Sequence, residues 1–377
     1  MTDRPALRIP SGEDARAAVA CFAAPGRLVS LDPHTSGLIN HSWLATFDAP
    51  DGRRRCFLQQ INRHVFHRPG EVMANMERVT RHIGLRLARD GARDAARRVL
   101  SLVPTSEGAS HHVDAAGETW RLVPWVEGTQ ARERAATEAE ARETARAFGR
   151  FLAQLQDLPG PPLHETILAF HDTPARLATF ERTLAEDRAS RAASCRAEID
   201  ALLDRQPLAS ALAGAAARGE IPVRPTHNDA KIANVLFDGA TGEAVCVVDL
   251  DTVMPGLSLH DFGDLARSTV SDSAEDERDL SRVVVRVPVF AALARGFVDG
   301  AGDALSPAER ALLVTGAEVI VYEQALRFLA DHLDGDRYYR TTRPGHNLDR
   351  TRTQIRLLEG LEAAGPGLRR AVPEPGE

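Results

Sequence analysis

The spacing of apolar positions divides the chain into a strand-rich beginning and a helix-rich remainder. From Leu28 to Ile61, "GLINHSWLATFDAPDGRRRCFLQQI" alternates apolar and polar residues on both sides of Pro50-Asp51-Gly52. Alternation predicts strands and Pro-Asp-Gly is turn chemistry, so the stretch predicts an antiparallel hairpin. Val72, Met76, Val79, Ile83 and Leu87 then recur at helical spacing, with Gly91 as the stop. "RVLSLVPT" and "TWRLVPWVEG" read as two further strands, the second running into Pro124 and Gly128. Up to Pro124 the pattern is a small sheet carrying one helix.

Beyond it the rhythm is helical. "ATEAEARETARAFGRFLAQLQDL" predicts an amphipathic helix stopped by "PGPP". "TPARLATFERTLAEDRAS" and "ASCRAEIDALLDRQ" predict two more, the first opening with Thr173 as cap and Pro174 in the first turn. The rhythm breaks at "RPTHNDAKIANVLFD" and "EAVCVVDLDTVMPG", two short apolar runs joined by "DGATGE", a hairpin-type loop with Gly239 and Gly242. It resumes in "SPAERALLVTGAEVIVYEQALRFLADHLDG". There Ser306 as cap, Pro307 in the first turn and Glu309 three residues on form a capping box. No internal repeat is present, and the tail "PEPGE" reads as frayed.

Composition narrows the class. A length of 377 residues suits roughly two domains of about 150 residues each. With 43% hydrophobic and 26% charged residues the chain is ordinary globular protein, and a net charge of -7 gives no footprint for nucleic acid. Cys21, Cys56, Cys195 and Cys246 are far apart, which argues against a zinc site or a disulfide framework and fits a reducing cytoplasm. The start "MTDRPALRIPSGEDARA" has no apolar signal region, and no run is long and apolar enough to span a membrane. A soluble cytoplasmic protein without nucleic-acid or membrane partners is the expectation.

The chemistry concentrates in one place. His227-Asn228-Asp229 is followed, five residues after the Asp, by Asn234, the spacing of a kinase catalytic loop. That chemistry needs a carboxylate to take or orient the proton of the attacking hydroxyl, and oxygen ligands for a magnesium ion on the phosphates. Asp229 is the candidate base and Asn234 the first metal ligand. Asp249 ends the return strand of the hairpin and is the second metal ligand, with Asp251 in reserve because alternation puts it on the same face. Asp261-Phe262-Gly263 spells the magnesium-binding triplet of protein kinases. It comes only after the Pro255-Gly256 loop, so its spelling misleads and Asp249 takes the metal role. A lone H-N-D triplet is more often a turn; the joint pattern of loop, amide, two strands and terminal carboxylate is far more specific.

These motifs resemble the aminoglycoside phosphotransferase and choline kinase superfamily, over roughly residues 30 to 360. Within it, "HNDAKIANVLFD", "CVVDLDTVMPGLSLHDFGDLAR" and "YEQALRFLADHLDGDRYY", with "GLINHSW", "FLQQIN" and "AFHDTPARL", look like N-acetylhexosamine 1-kinases. The resemblance implies an α+β, bilobal protein-kinase-like fold. Residues 1–124 would form a small antiparallel-sheet nucleotide lobe with one helix, and residues 125–377 a larger, mainly helical catalytic and acceptor lobe. It implies ATP and Mg2+ as cofactors, with ATP in the cleft between the lobes and its adenine at a hinge from Val123 through Trp125 to Val126. It implies a small-molecule sugar as substrate and a monomer or homodimer.

Further site residues follow from the same resemblance. Gly37 to Ser42 stands where a phosphate-covering loop belongs, but with one glycine only, so Asn40, His41 or Ser42 would supply donors. Gln59 occupies the position of the strand lysine that grips phosphates in protein kinases, with Glu77 as a possible partner. Glu323, Arg327 and Asp331 share a helical stripe, and Arg327 and Tyr338 would contact the sugar. His171 and Asp172 are weaker acceptor-site candidates, and His111-His112 reads as loop surface. His227 and Asp261 would support the site, Asp261 by bracing the backbone of the catalytic loop, with Asp264 the lesser alternative. Two other readings stay open: an aminoglycoside, amino alcohol or other sugar as acceptor, or a non-catalytic nucleotide sensor.

Overall fold

The structure is a computed structural model that describes residues 10–34 and 39–374. Gly37 and Leu38, the first two residues of the expected phosphate-covering loop, lie outside the described residues. The chain divides into two units, Met1–Thr129 with Leu163–Ile167 and Val248–Val253, and Gln130–Pro162 with Leu168–Val247 and Met254–Glu377.

The first unit opens on a helix that hydrophobic spacing does not advertise, α1 (Gly12–Ala20), started by a capping box between Ser11 and Asp14. Strands β1 (Arg27–His34), β2 (His41–Ala49) and β3 (Gly52–Gln60) follow, then α2 (Pro69–Arg89), the short α3 (Ala95–Arg98), β4 (His112–Val113) and β5 (Thr119–Pro124); β6 (Thr129–Ala131) lies mostly in the second unit. Five strands make an antiparallel sheet in the order β1-β2-β3-β5-β4. The β2–β3 hairpin closes at the predicted turn, with Ala49 opposite Gly52. Alternation sends Trp43, Ala45, Phe47, Cys56, Leu58, Trp120 and Leu122 into a core with Ala15, Ala18 and Val19 of α1. The opposite face of β5 carries Arg121, whose guanidinium meets Met76 of α2. α2 buries Val72, Met76, Val79, Ile83 and Leu87, as their spacing predicts.

Two local readings change. "RVLSLVPT" forms no extended strand; α3 takes in its Arg98, and two isolated bridges, Val103 to Leu122 and Thr105 to Phe22, are all that pair. Pro104 has no N–H to continue a ladder. His112, read as loop surface, pairs with Trp120 as the start of β4.

The second unit contains α4 (Glu138–Leu155), α5 (Thr173–Glu186), α6 (Arg196–Leu203), α7 (Pro207–Ala217), β7 (Arg224–Thr226), β8 (Val235–Asp238), β9 (Ala244–Val247), β10 (Met254–Gly256), α8 (Ser258–Thr269), α9 (Val287–Ala301), α10 (Pro307–Ala311), α11 (Leu313–Leu333) and α12 (His346–Ala371). β8 and β9 form the predicted hairpin, Val235 facing Val247. β10, expected as a loop, pairs with β7 instead. The Ser306–Glu309 capping box is present, but it starts only the short α10; the apolar run continues as α11 after a break at Leu312. α11 is buried along most of its circumference and packs against α5, α7, α8 and α12. α5 is capped by Asp172, which accepts from the Ala175 N–H at 3.0 Å, and not by Thr173. The Thr173 hydroxyl turns inward and donates to Glu323 at 2.7 Å. No helix among the described residues is long and apolar enough to cross a membrane.

The triplet Asp261-Phe262-Gly263 sits in α8. Phe262 is fully buried against Phe290 and Phe297 at 5.5 and 5.6 Å. A Cβ on Gly263 would lie 2.5 Å from both the Gly316 carbonyl oxygen and Ile320 Cγ1, so the glycine lets α8 approach α11. Two letters of the triplet are packing. The third belongs to the site.

Candidate active site

The loop from His227 to Asn234 is held from beneath. The Asp261 carboxylate accepts from the backbone N–H groups of His227 at 3.0 Å and Asn228 at 2.6 Å. It is 2% exposed, and burial pushes its pKa up to about 6, against the opposing pull of His227 and the two backbone donors. The His227 ring is fully buried edge-on to Phe148 and Phe151, at 5.2 and 5.9 Å between ring centres. Its Nδ1 accepts from the Asp229 N–H at 3.3 Å.

Asn228 has a left-handed backbone, φ 62°, a conformation that asparagine adopts more readily than most residues. Each of its polar groups is engaged. The N–H goes to Asp261, the carbonyl accepts from His171 Nε2 at 2.9 Å, Oδ1 accepts from Thr226 Oγ1 at 3.1 Å, and Nδ2 donates to the Thr226 carbonyl at 3.2 Å. A Cβ on Gly256 would overlap Thr226 Oγ1 and Asn228 Oδ1, so this corner tolerates glycine alone. A residue pinned on every side leaves the next one, Asp229, a defined direction.

Asp229 reaches solvent, 29% exposed. Its Oδ2 accepts from Asn234 Nδ2 at 3.0 Å and from Lys231 Nζ at 2.8 Å. Because the Asn234 NH2 faces Asp229, its Oδ1 is the atom left to offer a cation. Asn234 directly precedes β8, and Asp249 follows the paired end of β9 by two residues. Asp249 is exposed, in a left-handed turn at φ 60°. An exposed carboxylate and an amide oxygen are each of the hard donor type that magnesium prefers.

In the first unit the expected nucleotide residues are cross-linked. Arg121 and Asp251 form a buried ion pair, each side chain 2% exposed. Arg121 also donates to Gln59 Oε1 from Nε at 2.9 Å and from Nη2 at 2.8 Å. Gln59 Nε2 in turn donates to Ser42 Oγ at 3.3 Å. Asn40 Nδ2 donates to the other side of Asp251 at 2.7 Å, and its Oδ1 accepts from the Asn62 N–H at 2.9 Å. Asp251 is therefore a counter-charge and not a spare metal ligand, and the partner of Gln59 is Arg121. Glu77 pairs with Arg81 on the surface of α2 at 3.7 Å. His41 Nε2 is buried without a hydrogen-bond partner among the described residues. Val123 lies in β5 opposite Phe57. The Trp125 N–H already donates to the Arg55 carbonyl at 2.9 Å, and the Val126 carbonyl accepts from Thr129 Oγ1 at 2.7 Å.

On the acceptor side, the stripe Glu323, Arg327, Asp331 is three separate devices. Glu323 binds His171 Nδ1 at 3.0 Å as well as Thr173. Asp331 accepts from the backbone N–H groups of Arg337, Tyr338 and Tyr339 at 2.9, 2.7 and 2.9 Å, and so folds the turn after α11. Arg327 lies between two aromatic rings, Phe170 at 5.8 Å and Tyr339 at 5.7 Å, and donates to Gln324 at 3.2 Å. Tyr338 is 70% exposed, while the Tyr339 hydroxyl accepts from Gln324 Nε2 at 3.2 Å. Tyr339, one residue on, is the tyrosine whose ring lies beside Arg327. His171 has both ring nitrogens engaged inside the protein.

Sequence reasoning passes over Lys231, although a signal is there. It is the only lysine among 46 lysines and arginines, and it stands two residues from Asp229. Arg121 and Tyr339 carry no comparable mark.

A small antiparallel-sheet unit and a larger helical unit, the latter with a braced H-x-D loop, have the architecture of protein-kinase-like phosphotransferases. The model of the phosphotransferase enzyme family APH matches residues 33–308. An aminoglycoside phosphotransferase from Alicyclobacillus acidocaldarius shares the fold at 16% identity and TM-score 0.59, with 98% of each chain covered. A spectinomycin phosphotransferase solved with ADP and its antibiotic matches at 12% identity and TM-score 0.51, over 89% of this chain and 92% of that one. A choline/ethanolamine kinase family protein from Mesorhizobium loti matches at 17% identity and TM-score 0.50, over 95% and 98%. The chain belongs to the phosphotransferase enzyme family.

Proposed function

We propose that the protein transfers the γ-phosphoryl group of ATP to a hydroxyl of a small neutral sugar, foremost the anomeric hydroxyl of an N-acetylhexosamine. The observation that carries the reading is Asp229, a solvent-reaching carboxylate on a loop whose other polar groups are tied down. Asp229 orients the acceptor hydroxyl and takes its proton as the oxygen attacks the γ-phosphorus in line with the departing ADP. Such a transition state is loose, so positioning and charge neutralisation do most of the work. Lys231 supplies positive charge beside the base, where Gln59 supplies none and Arg121 is already paired. Asn234 Oδ1 and the Asp249 carboxylate are the oxygens that would hold Mg2+, which would supply positive charge to neutralise the phosphates.

Charge balance supports a neutral acceptor. The carboxylates around the acceptor helix are spent. Glu323 faces His171, Asp264 faces Arg267 at 3.0 Å, and Glu275 faces Arg267 at 3.1 Å. A polycationic aminoglycoside needs uncompensated negative charge, whereas Gln324, Arg327 and Tyr339 offer hydrogen-bonding groups suited to a polyol. Of the expected nucleotide residues, His41 supports the reading best, through a buried Nε2 that has no partner among the described residues.

The test is phosphorus NMR of products formed from ATP and Mg2+ with a panel of N-acetylhexosamines, hexoses, choline and aminoglycosides. A sugar 1-phosphate is the expected product. Phosphorylation of choline or an aminoglycoside in its place overturns the acceptor, and intact ATP binding with no turnover on any acceptor makes the protein a nucleotide sensor.

A further inference from the structure

The buried His171 is a cation by geometry. Its Nδ1 lies 3.0 Å from the Glu323 carboxylate and its Nε2 lies 2.9 Å from the Asn228 carbonyl oxygen. Both partners only accept hydrogen bonds, so the ring satisfies both when both nitrogens carry protons. The side chain is 7% exposed and its Glu323 partner 2%. Burial alone would push the histidine pKa down, but the Glu323 charge and hydrogen bond, with Asp264 behind them, push it up. Glu323 is held down at about 2, burial notwithstanding, by His171, Arg327 and Thr173. The Phe170 ring lies 4.7 Å away, and the other titratable groups facing His171 come from α8. Asp264 lies 4.0 Å from Nε2, and the His260 ring lies 4.8 Å away. Burial, and then the charge on His171, lower the His260 pKa to about 3, so His260 stays neutral beside its charged neighbour. Asp261, also on α8, feels the His171 charge from the far side of the loop.

We propose that His171 is a positioning residue, a buried imidazolium that ties the Asn228 carbonyl, one residue before Asp229, to Glu323 on the acceptor helix α11. The tie completes the clamp on Asn228. Asp261 holds the N–H and His171 the C=O of one left-handed residue, so the peptide leading to Asp229 cannot rotate without breaking a charge-assisted hydrogen bond. It also joins the base to the helix that carries Arg327, so that acceptor and base share one frame. This role replaces the expectation that His171 touches the sugar, since neither nitrogen is left to do so.

The inference rests on Asp229 as the base, and the experiment separates the two. Nitrogen-15 NMR of histidine-labelled protein, with the His171 signals assigned by difference against H171Q, reads the charge state without any turnover. The expected result is an imidazolium with both nitrogens protonated at pH 7.5; a neutral tautomer there overturns the inference whatever the kinetics show. In H171Q and in E323Q, kcat is expected to fall roughly 10- to 100-fold with the acceptor and ATP KM values within about 3-fold of wild type. A raised acceptor KM with unchanged kcat makes His171 a substrate contact and overturns the role, as do wild-type kinetics in both variants. If H171Q does not fold, E323Q carries the kinetic arm, and assignment against H171N carries the NMR arm. An active D229N would remove the function reading while leaving the measured charge on His171 standing.

Discussion

Replacing Asp251 by alanine removes the carboxylate facing a guanidinium that is 2% exposed. Taking one partner from a buried ion pair leaves the other charge desolvated and costs about 3–5 kcal/mol. The same substitution leaves Asn40 Nδ2 without its 2.7 Å acceptor, worth about 1 kcal/mol more. Arg121→Ala reaches a similar total, because it strands Asp251 and the Oε1 of Gln59 together. Replacing both by apolar residues of similar bulk, R121M/D251L, removes both charges and their desolvation, so its loss should fall at least about 2 kcal/mol short of the summed single losses. For a unit of this size, about 2–4 °C of melting temperature accompanies each kcal/mol, so each single variant should melt roughly 8–24 °C below wild type. Calorimetry and urea unfolding of the four proteins of the cycle measure this. The functional counterpart is a weakened ATP affinity in both single variants, since Asn40, Ser42 and Gln59 hang on the same pair. Single losses under about 1 kcal/mol, or strict additivity, would show the pair to be wet and the reasoning unsound.

Other expectations are independent of that network. Lys231→Arg keeps the charge but exchanges a compact ammonium for a planar fork, and kcat should fall roughly 10- to 100-fold with ATP affinity retained; an unchanged kcat would make the single lysine incidental. Gly263→Ala drives a methyl group into the Gly316 carbonyl and Ile320, and unfolding measurements should register a loss of about 1–3 kcal/mol. For Asp261 the folded pKa is raised to about 6 from 3.8, so the native state holds its proton more tightly and stability is lost as pH rises through that window. Stability relative to D261N should therefore decline by on the order of 3 kcal/mol between pH 3.5 and pH 7. A constant difference across that range would mean that the carboxylate is not desolvated.

Local signals carried much of the fold. The β2–β3 turn, the α2 stripe, the β8–β9 hairpin and the Ser306 capping box are each written in a few consecutive residues. Spacing set the Asp261 triplet apart from the metal role, because it comes too late to follow the hairpin; that Asp261 would brace the loop was implied by the family resemblance. What escaped was set by distance along the chain. Arg121 meets Asp251 130 residues away, and His171 meets Glu323 152 residues away, with no periodicity to announce either pair. The Thr173 hydroxyl was read as a cap because a helix start satisfies it locally, whereas the fold offered it a buried carboxylate. Tyr338 and Tyr339 are adjacent, and only the turn gathered by Asp331 decides which of them faces Arg327.

The measurement closest to the central claim is turnover of Asp229→Asn on the acceptor found by the product panel, with ATP affinity determined on the same protein. The substitution preserves shape and removes the proposed base. The account predicts a kcat lowered by about 100-fold or more with ATP bound nearly as in wild type; a variant that turns over like wild type would contradict it.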